Sequence, residues 1–190
     1  MRTIIRLLVA FCCTSIYAQQ DFFVTTKGDT TYCQVKSKSY DIYGTLGGKN
    51  YRVFYYLDGD KKKHDVHIDT LHTFRDEGED YDILQYKSSD IVYRSIAKRL
   101  WLGENINLHR IEVVRMNNNG QYAAPTTYKI YHYFLSKPKG EECVKVKQIN
   151  FKSKIKSFMY DKPEILKDVK KKVYKFYDME ELARRYEDSF

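Results

Sequence analysis

The sequence predicts an α+β protein, with an antiparallel, strongly twisted or barrel-like β-sheet followed by a short C-terminal helical segment. Two observations predict it. Before residue 149, runs of aromatic and β-branched residues alternate with turn formers, which is typical of successive antiparallel strands. After residue 150, apolar residues recur every three or four positions, which is typical of helices that bury one side. We therefore expect a β region over residues 21–149 and a helical cap over residues 150–190.

The chain begins with the three-part pattern of a secretory signal. Arg2 and Arg6 place positive charge at the start, an uncharged run follows, and Ala18 is the small residue before the expected cleavage site. The uncharged run is too short to span a bilayer, which takes about 20 residues. We therefore expect residues 1–18 to be removed, and residues 19–190 to form one exported domain without a transmembrane segment.

The expected cleavage separates the four cysteines into two pairs. Cys12 and Cys13 lie inside the signal, and neither follows the small residue that a lipoprotein signal requires. Cys33 and Cys143 stay in the exported chain, in a compartment where disulfides persist. They form either a long-range disulfide or two separate buried thiols, and the sequence leaves both alternatives open. The exported chain contains no Cys-x-x-Cys motif, so thioredoxin-like chemistry and cysteine zinc clusters lack their ligands.

The first strands are predicted as hairpins. The run DFFVTT leads through the turn KGDT, which contains Gly28, into TYCQVKS. The run YRVFYYL leads through DGDK into KHDVHI, and an Asp-Gly pair between two such runs is a strong hairpin signal. Neither face of YRVFYYL is plainly polar, so we expect these strands to be covered on both sides.

Five further strands are predicted, separated by segments such as NNNGQ and KPKGE that are rich in turn formers. They occupy residues 81–86, 90–96, 106–116, 127–135 and 143–149. The chain contains 18 tyrosines, and each offers an apolar body and a polar tip. The tyrosines either pack the sheet or form an exposed cluster that stacks on carbohydrate.

Three short helices are predicted after residue 150. In the first, Asn150 is the expected N-cap of an apolar stripe that starts at Phe151. Pro163 suits the first position of the second helix. Asp178 and Glu181 make a capping pattern for the third. The apolar residues of the three stripes are Phe151, Ile155, Phe158 and Met159, then Ile165, Leu166 and Val169, then Met179, Leu182, Ala183 and Tyr186.

Motifs for catalysis or metal binding are weak. His64, His67 and His72 lie close together, but successive side chains of a strand point to opposite faces, so His64 and His67 would point apart. The carboxylates of RDEGED lie in a segment that is predicted as a solvated polar turn. The sequence lacks a nucleophile elbow, a phosphate-binding glycine loop and a zinc-protease motif. We therefore assign no catalytic residue, no cofactor and no metal site.

Positive charge is concentrated near the C-terminus. Residues 137–175 contain 13 lysines, no arginine and five acidic residues, whereas residues 19–136 are nearly balanced. Lysine without arginine suits diffuse attraction to an anionic surface better than bidentate recognition of phosphates or bases. A solvated face that keeps the protein soluble would show the same pattern. The lysines that we expect to bind an anionic surface are Lys152, Lys154, Lys156, Lys167, Lys170, Lys171 and Lys172.

Several segments share short motifs with known proteins. These are FFVTTKGDTTYCQVK after a signal ending in Ala-Gln, HIDTLHTFRDEG, AKRLWLGENINLHRIEV and the lysine-rich ending. Together they resemble a group of small secreted proteins of Bacteroidota whose function is uncharacterised. The chain departs from their pattern at His109, Lys162 and Glu187, where tyrosine, cysteine and asparagine are usual. The resemblance implies export and the boundaries given above, and it implies no catalytic residue.

These observations predict a protein of the periplasm or cell envelope, or of the extracellular space, that is a non-enzymatic binding or interaction module. Its basic C-terminal face would bind an anionic envelope lipid, glycan or protein, and export argues against a nucleic-acid partner. The alternative is a hydrolase that acts on envelope glycans or peptides. A deep pocket with two or more convergent carboxylates or histidines would favour the hydrolase, and a shallow basic or aromatic surface would favour binding.

Overall fold

A computed structural model describes most of the expected exported chain. The described residues are 20–39, 52–88, 91–117, 126–138 and 143–190. The predicted signal over residues 1–18 lies outside them, as do most of the NNNGQ and KPKGE turns. The chain divides into two compact units, Met1–Ile83 and Leu84–Phe190, and each is described by itself. That residues 19–190 form one domain stays a prediction.

The first unit contains two antiparallel sheets. Its strands are β1 (Phe22–Thr25), β2 (Thr30–Tyr32), β3 (Gln34–Ser39), β4 (Arg52–Tyr56), β5 (His64–His67), β6 (Leu71–Asp76) and β7 (Glu79–Ser88), which continues past Ile83. The strand orders are β7-β6-β1-β2 and β3-β4-β5. Both predicted hairpins are confirmed, because β1 pairs with β2 and β4 pairs with β5. Their turns contain Gly28 and Gly59 with positive φ, which glycine adopts without steric cost.

The strand β6 was not predicted. The segment RDEGED, predicted as a solvated turn, instead contains the end of β6, a turn at Glu77 and Gly78, and the start of β7. Both turn residues have positive φ, 53° and 79°, as the tightest hairpin turns require. Arg75 and Asp80 form a cross-strand ion pair of 2.7 Å. The charged residues of this segment therefore belong to a hairpin between β6 and β7.

The second unit begins with four antiparallel strands after β7. They are β8 (Ile91–Leu102), β9 (Asn107–Asn117), β10 (Thr126–Ser136) and β11 (Val144–Val146), in the order β11-β10-β9-β8. The four predicted strands are present, although β8 is longer than expected and β11 is shorter. The pairing of β8 with β9 shifts by one residue between Arg99 and Trp101. This bulge leaves Leu100 as an extra residue, and both Leu100 and Trp101 pack against the core.

Three helices follow, as predicted, and cover one face of these strands. They are α1 (Phe151–Phe158), α2 (Pro163–Lys170) and α3 (Met179–Glu187), and single 3₁₀ turns precede α1 at Gln148–Asn150 and α3 at Phe176–Asp178. The apolar stripes of the helices pack against Leu108, Tyr133, Leu135 and Val146 of the strands. Burial of each large apolar side chain contributes about 1.5–3 kcal/mol, so this core holds the helices in place.

The predicted N-caps of α1 and α3 have a different role. Neither Asn150 nor Asp178 makes a side-chain hydrogen bond to its own helix. Instead, Asn150 Oδ1 accepts a hydrogen bond from the backbone N–H of Lys147, and Asp178 Oδ2 accepts one from Lys175, both at 2.7 Å. Asn150 and Asp178 therefore occupy the predicted N-cap positions, but each side chain closes the 3₁₀ turn before its helix and makes no capping hydrogen bond.

The last turn of α3 is fixed to the turn between β8 and β9 by Glu187. Its carboxylate accepts hydrogen bonds from the backbone N–H groups of Glu104, Asn105 and Ile106 at 2.8–3.2 Å, and from Asn105 Nδ2 at 3.2 Å. A Cβ atom built on Gly103 would lie 2.3 Å from Glu187 Oε2. Only glycine therefore fits beside this carboxylate without a shift.

The predicted fold class is confirmed, since antiparallel strands are followed by a short helical segment. The described strands form open sheets, and none of these closes into a barrel, so the barrel-like form of the prediction is not found. In the part of the chain that the structure covers, no helix combines the length and apolar character needed to cross a membrane.

Candidate anionic-surface site

The first three predicted lysines lie on α1 and are exposed. They surround the buried apolar stripe of the helix on both sides. Lys152 and Lys156 are four residues apart, so they share one flank of the stripe. Lys154 lies on the other flank, because each residue advances by about 100° around an α-helix. The three lysines therefore do not form a single face.

The other four predicted lysines lie on α2 and directly after it, and they too are exposed. Lys167 and Lys170 are three residues apart and share the outward face of α2, opposite its buried residues. Lys171 and Lys172 follow, and Lys172 ends the helix with a φ of 63°. This left-handed conformation is the usual helix stop, although glycine is the residue that most often adopts it.

The seven lysines have few counter-ions. Among the described residues, the one ion pair that any of them makes joins Lys167 and Glu164 at 3.9 Å, with side chains that are 60% and 80% exposed. Pairs as exposed as this contribute at most about 1 kcal/mol. Residues 143–175 contain eleven lysines and three acidic residues. The positive charge of the segment is therefore directed mainly to solvent, or to a partner.

Part of this charge also stabilises the helices. Lys156, Lys167 and Lys170 lie in the last turns of α1 and α2. Cations at this end interact favourably with the helix dipole, by about 0.3–1 kcal/mol each. Lys152 and Lys154 are far from these ends, so the dipole does not account for them.

The basic character extends to the edge of the sheet. Burial, together with the positive charges of Lys145, Lys147 and Arg115, lowers the pKa of His132 to about 4. Burial and the neighbouring charge of Lys147 also lower the pKa of Lys145. The strands β10 and β11 therefore carry an electropositive region in the same unit as the seven lysines.

The aromatic residues of this unit mainly pack the sheet. Tyr86 stacks on Tyr93 at 5.5 Å and contacts Phe134 in a tilted arrangement at 4.7 Å, and Lys145 Nζ lies 5.0 Å from the centre of the Tyr86 ring. Phe134 is fully buried and Tyr86 is half-buried. Of the three rings only Tyr93 is exposed, so they do not offer a broad platform for carbohydrate.

Exposed apolar residues near the lysines were missed, among them Ile149 and Tyr177. Ile149 is 94% exposed and Tyr177 is 63% exposed, and they lie in the 3₁₀ turns before α1 and α3. The sequence pattern places Ile149 at the end of a strand, so its exposure was not expected. The sequence does contain a sign of these turns. The segments KQINF and KFYDM share one pattern: a lysine, two residues of any type, an asparagine or aspartate, and then an apolar residue.

A shallow depression with a volume of about 390 Å³ lies in the first unit. It is lined by Gln34, Tyr56, Leu57, Asp58, Gly59, Asp60 and Lys63. A hydrogen bond with His64 and one from the backbone N–H of Lys62 lower the pKa of Asp60. A general acid requires the opposite shift. This arrangement therefore gives the hydrolase alternative no support.

The three histidines of the first unit do not converge. His64 stacks on Tyr55 at 5.5 Å, and His67 Nδ1 accepts a hydrogen bond from the backbone N–H of Asp69 at 3.2 Å. His72 is exposed on β6. Within the described ranges, no three His, Cys, Asp or Glu side chains are grouped so that they could hold a metal ion.

Cys33 and Cys143 are free thiols in the structure, one buried and the other half-buried. Burial, with the nearby charges of Asp21 and Asp58, raises the pKa of Cys33 to about 12. Burial raises the pKa of Cys143 to about 11. The thiolate is the reactive form of cysteine, so both residues are expected to react slowly at neutral pH. The structure has the two separate thiols of the second alternative, and a disulfide between them stays the other alternative.

Comparison of the chain with protein-family models, with curated proteins and with solved structures finds no match.

Proposed function

We propose that the protein is an exported, non-enzymatic binding module that docks on an anionic surface of the cell envelope through its basic helical segment. This segment comprises α1, α2 and the turn after α2. The observation that carries the proposal is the exposure of all seven predicted lysines on helices whose apolar stripes are buried. Because the core holds the helices, the lysines are available to a partner without a change of fold.

Long-range attraction is the physical basis of this binding. A lysine near an anionic lipid surface contributes about 1 kcal/mol, and the attraction is screened over about 8 Å at physiological ionic strength. A flat surface cannot contact both flanks of α1 at once. Lys154 and the pair Lys152 and Lys156 should therefore contribute unequally.

The exported location rests on the sequence. The charged start, the uncharged run and Ala18 support a cleaved signal, and the resemblance to small secreted proteins of Bacteroidota supports the same location. In such a location, the anionic groups within reach are those of envelope lipids and glycans.

Charge reversal tests the proposal. Substituting Lys152, Lys156 and Lys170 by glutamate should weaken binding to anionic vesicles by more than about a hundredfold, because at least about 3 kcal/mol of attraction is lost. Co-sedimentation at low and high salt measures this, with dextran sulfate as a soluble anionic polysaccharide in a second arm. The apolar stripe is untouched, so the variant should still fold, with a urea unfolding midpoint lowered only by the lost dipole interactions of Lys156 and Lys170.

The matched control reverses three exposed lysines of the first unit, Lys27, Lys61 and Lys62. It changes the net charge equally, so it separates a local site from the total charge of the protein. We expect this control to bind nearly as well as the unmodified protein. If neither salt nor the reversal of Lys152, Lys156 and Lys170 changes binding, the proposal is wrong and these lysines are only a solvated face.

A further inference from the structure

The two 3₁₀ turns before α1 and α3 have the same construction. Asn150 Oδ1 accepts a hydrogen bond from the N–H of Lys147, and the N–H of Asn150 donates to the carbonyl of Lys147 at 3.1 Å. Asp178 and Lys175 repeat both bonds, the second at 3.0 Å. Each turn is therefore closed on itself, and its backbone is fixed.

Each closed turn displays one apolar side chain. Ile149 and Tyr177 occupy the position before the residue that closes the turn, and both are strongly exposed. The turns are neighbours, because the rings of Phe151 and Phe176 lie 6.3 Å apart and Phe176 contacts Tyr177 at 5.2 Å. The fold thus presents one exposed apolar side chain on each of two neighbouring closed turns. We call Ile149 and Tyr177 the apolar tip.

Lysines flank the apolar tip. Lys147 and Lys175 begin the two turns, Lys152 follows in the first turn of α1, and all three are exposed. A polysaccharide has no apolar interior to receive Ile149, whereas the headgroup boundary of a bilayer accepts apolar and aromatic side chains while lysines stay with the headgroups. The combination of exposed apolar groups and surrounding positive charge therefore favours an anionic lipid bilayer as the partner.

We propose that Ile149 and Tyr177 insert into the interface of an anionic lipid bilayer, with Lys147, Lys152 and Lys175 against the headgroups. This inference rests on the proposed function and specifies its partner. Glu180 and Glu181, exposed in the first turn of α3, oppose the attraction. Their replacement by glutamine should therefore strengthen binding.

The test uses the purified protein and vesicles of phosphatidylcholine and phosphatidylglycerol in equal parts, with phosphatidylcholine alone for comparison. Ile149→Ser and Tyr177→Ser should each weaken binding to the anionic vesicles by roughly tenfold, and the double variant by roughly a hundredfold. Leu102→Ser is the matched control, because Leu102 is 63% exposed and is the last residue of β8, before the turn that holds the far end of α3. Its binding should be unchanged.

A second measurement reports insertion directly. In Ile149→Trp, the added tryptophan should shift its emission to shorter wavelength when anionic vesicles are present, while Trp101 gives the same background with and without the substitution. All variants should unfold at the urea concentration of the unmodified protein, because the replaced side chains are exposed.

The outcomes separate this inference from the proposed function. If the double Ser variant binds the vesicles as tightly as the unmodified protein, and binding still depends on salt, insertion is refuted and the proposed function stands. Binding to dextran sulfate without binding to vesicles also overturns insertion, and it identifies a glycan-type partner. Failure to bind either probe overturns both proposals.

Discussion

Replacement of Glu187 tests how the last helix is fixed to the sheet. We expect Glu187→Ala to lower the free energy of unfolding by about 2–4 kcal/mol. A hydrogen bond to a charged group contributes about 1.5–3 kcal/mol, and a buried donor left without its partner costs about as much. Glu104 is exposed, and water can replace its partner, so the loss comes mainly from Asn105, which is half-buried, and from Ile106, which is buried.

Urea unfolding followed by tryptophan emission measures this loss. The chain has a single tryptophan, and Trp101 Nε1 would lie 2.8 Å from a Cβ atom on Gly103, so the reporter is beside the affected turn. Glu181→Ala is the control, because it makes the same substitution at an exposed position of the same helix. It should change the unfolding free energy by less than about 0.5 kcal/mol.

A double-mutant cycle gives the sharper result. Gly103→Ala alone should destabilise the protein, since the new methyl group would meet the Glu187 carboxylate at 2.3 Å. With alanine at position 187 the conflict with the carboxylate is relieved and only the 2.8 Å approach to Trp101 Nε1 remains, so the two substitutions should be non-additive by more than about 1 kcal/mol. Additive effects, or a Glu187→Ala cost no larger than that of the control, would refute this account of the contact.

Two further predictions concern titratable groups. The pKa of His132 is lowered to about 4 in the fold, so between pH 4 and pH 6.5 the unfolded chain binds more protons and stability should rise with pH, by at most about 3 kcal/mol. His132→Gln should flatten this part of the unfolding profile, and an unchanged slope would exclude His132 as its source. At pH 8 Cys33 and Cys143 should react with a thiol reagent slowly in the native protein and rapidly in urea, because burial raises both pKa values. If the protein does not react in urea until a reductant is added, the two cysteines form a disulfide, the other alternative that the sequence leaves open.

The parts of the fold with strong local signals were predictable. The hairpins at Gly28 and Gly59 follow from residues that adopt positive φ, and the helices follow from their apolar stripes. The hairpin between β6 and β7 was missed because Arg75 and Asp80 satisfy each other across the strands, whereas a sequence pattern records them only as polar. Their pairing depends on register, which composition does not encode.

The remaining differences have two physical causes. Asn150 and Asp178 are residue types that can close a 3₁₀ turn or cap a helix with the same side-chain atoms, and local sequence does not distinguish the two hydrogen bonds. Glu187 contacts a turn more than 80 residues earlier in the chain, so no local pattern could assign its role. In the candidate site, the exposure of the lysines was predictable from the residue type. The exposure of Ile149 was not, because it depends on the residue at which β11 ends.

The bulge in β8 also affects how the chain tolerates changes in length. Arg99 pairs with His109 and Trp101 pairs with Leu108, so Leu100 is the residue that has no place in a regular ladder. Deletion of Leu100 would join two stretches that are already in register. Deletion of Arg99 or Trp101 would keep the register too, but it would put Leu100 in the place of the deleted residue. An alignment with related sequences should therefore place its gap in this strand at position 100.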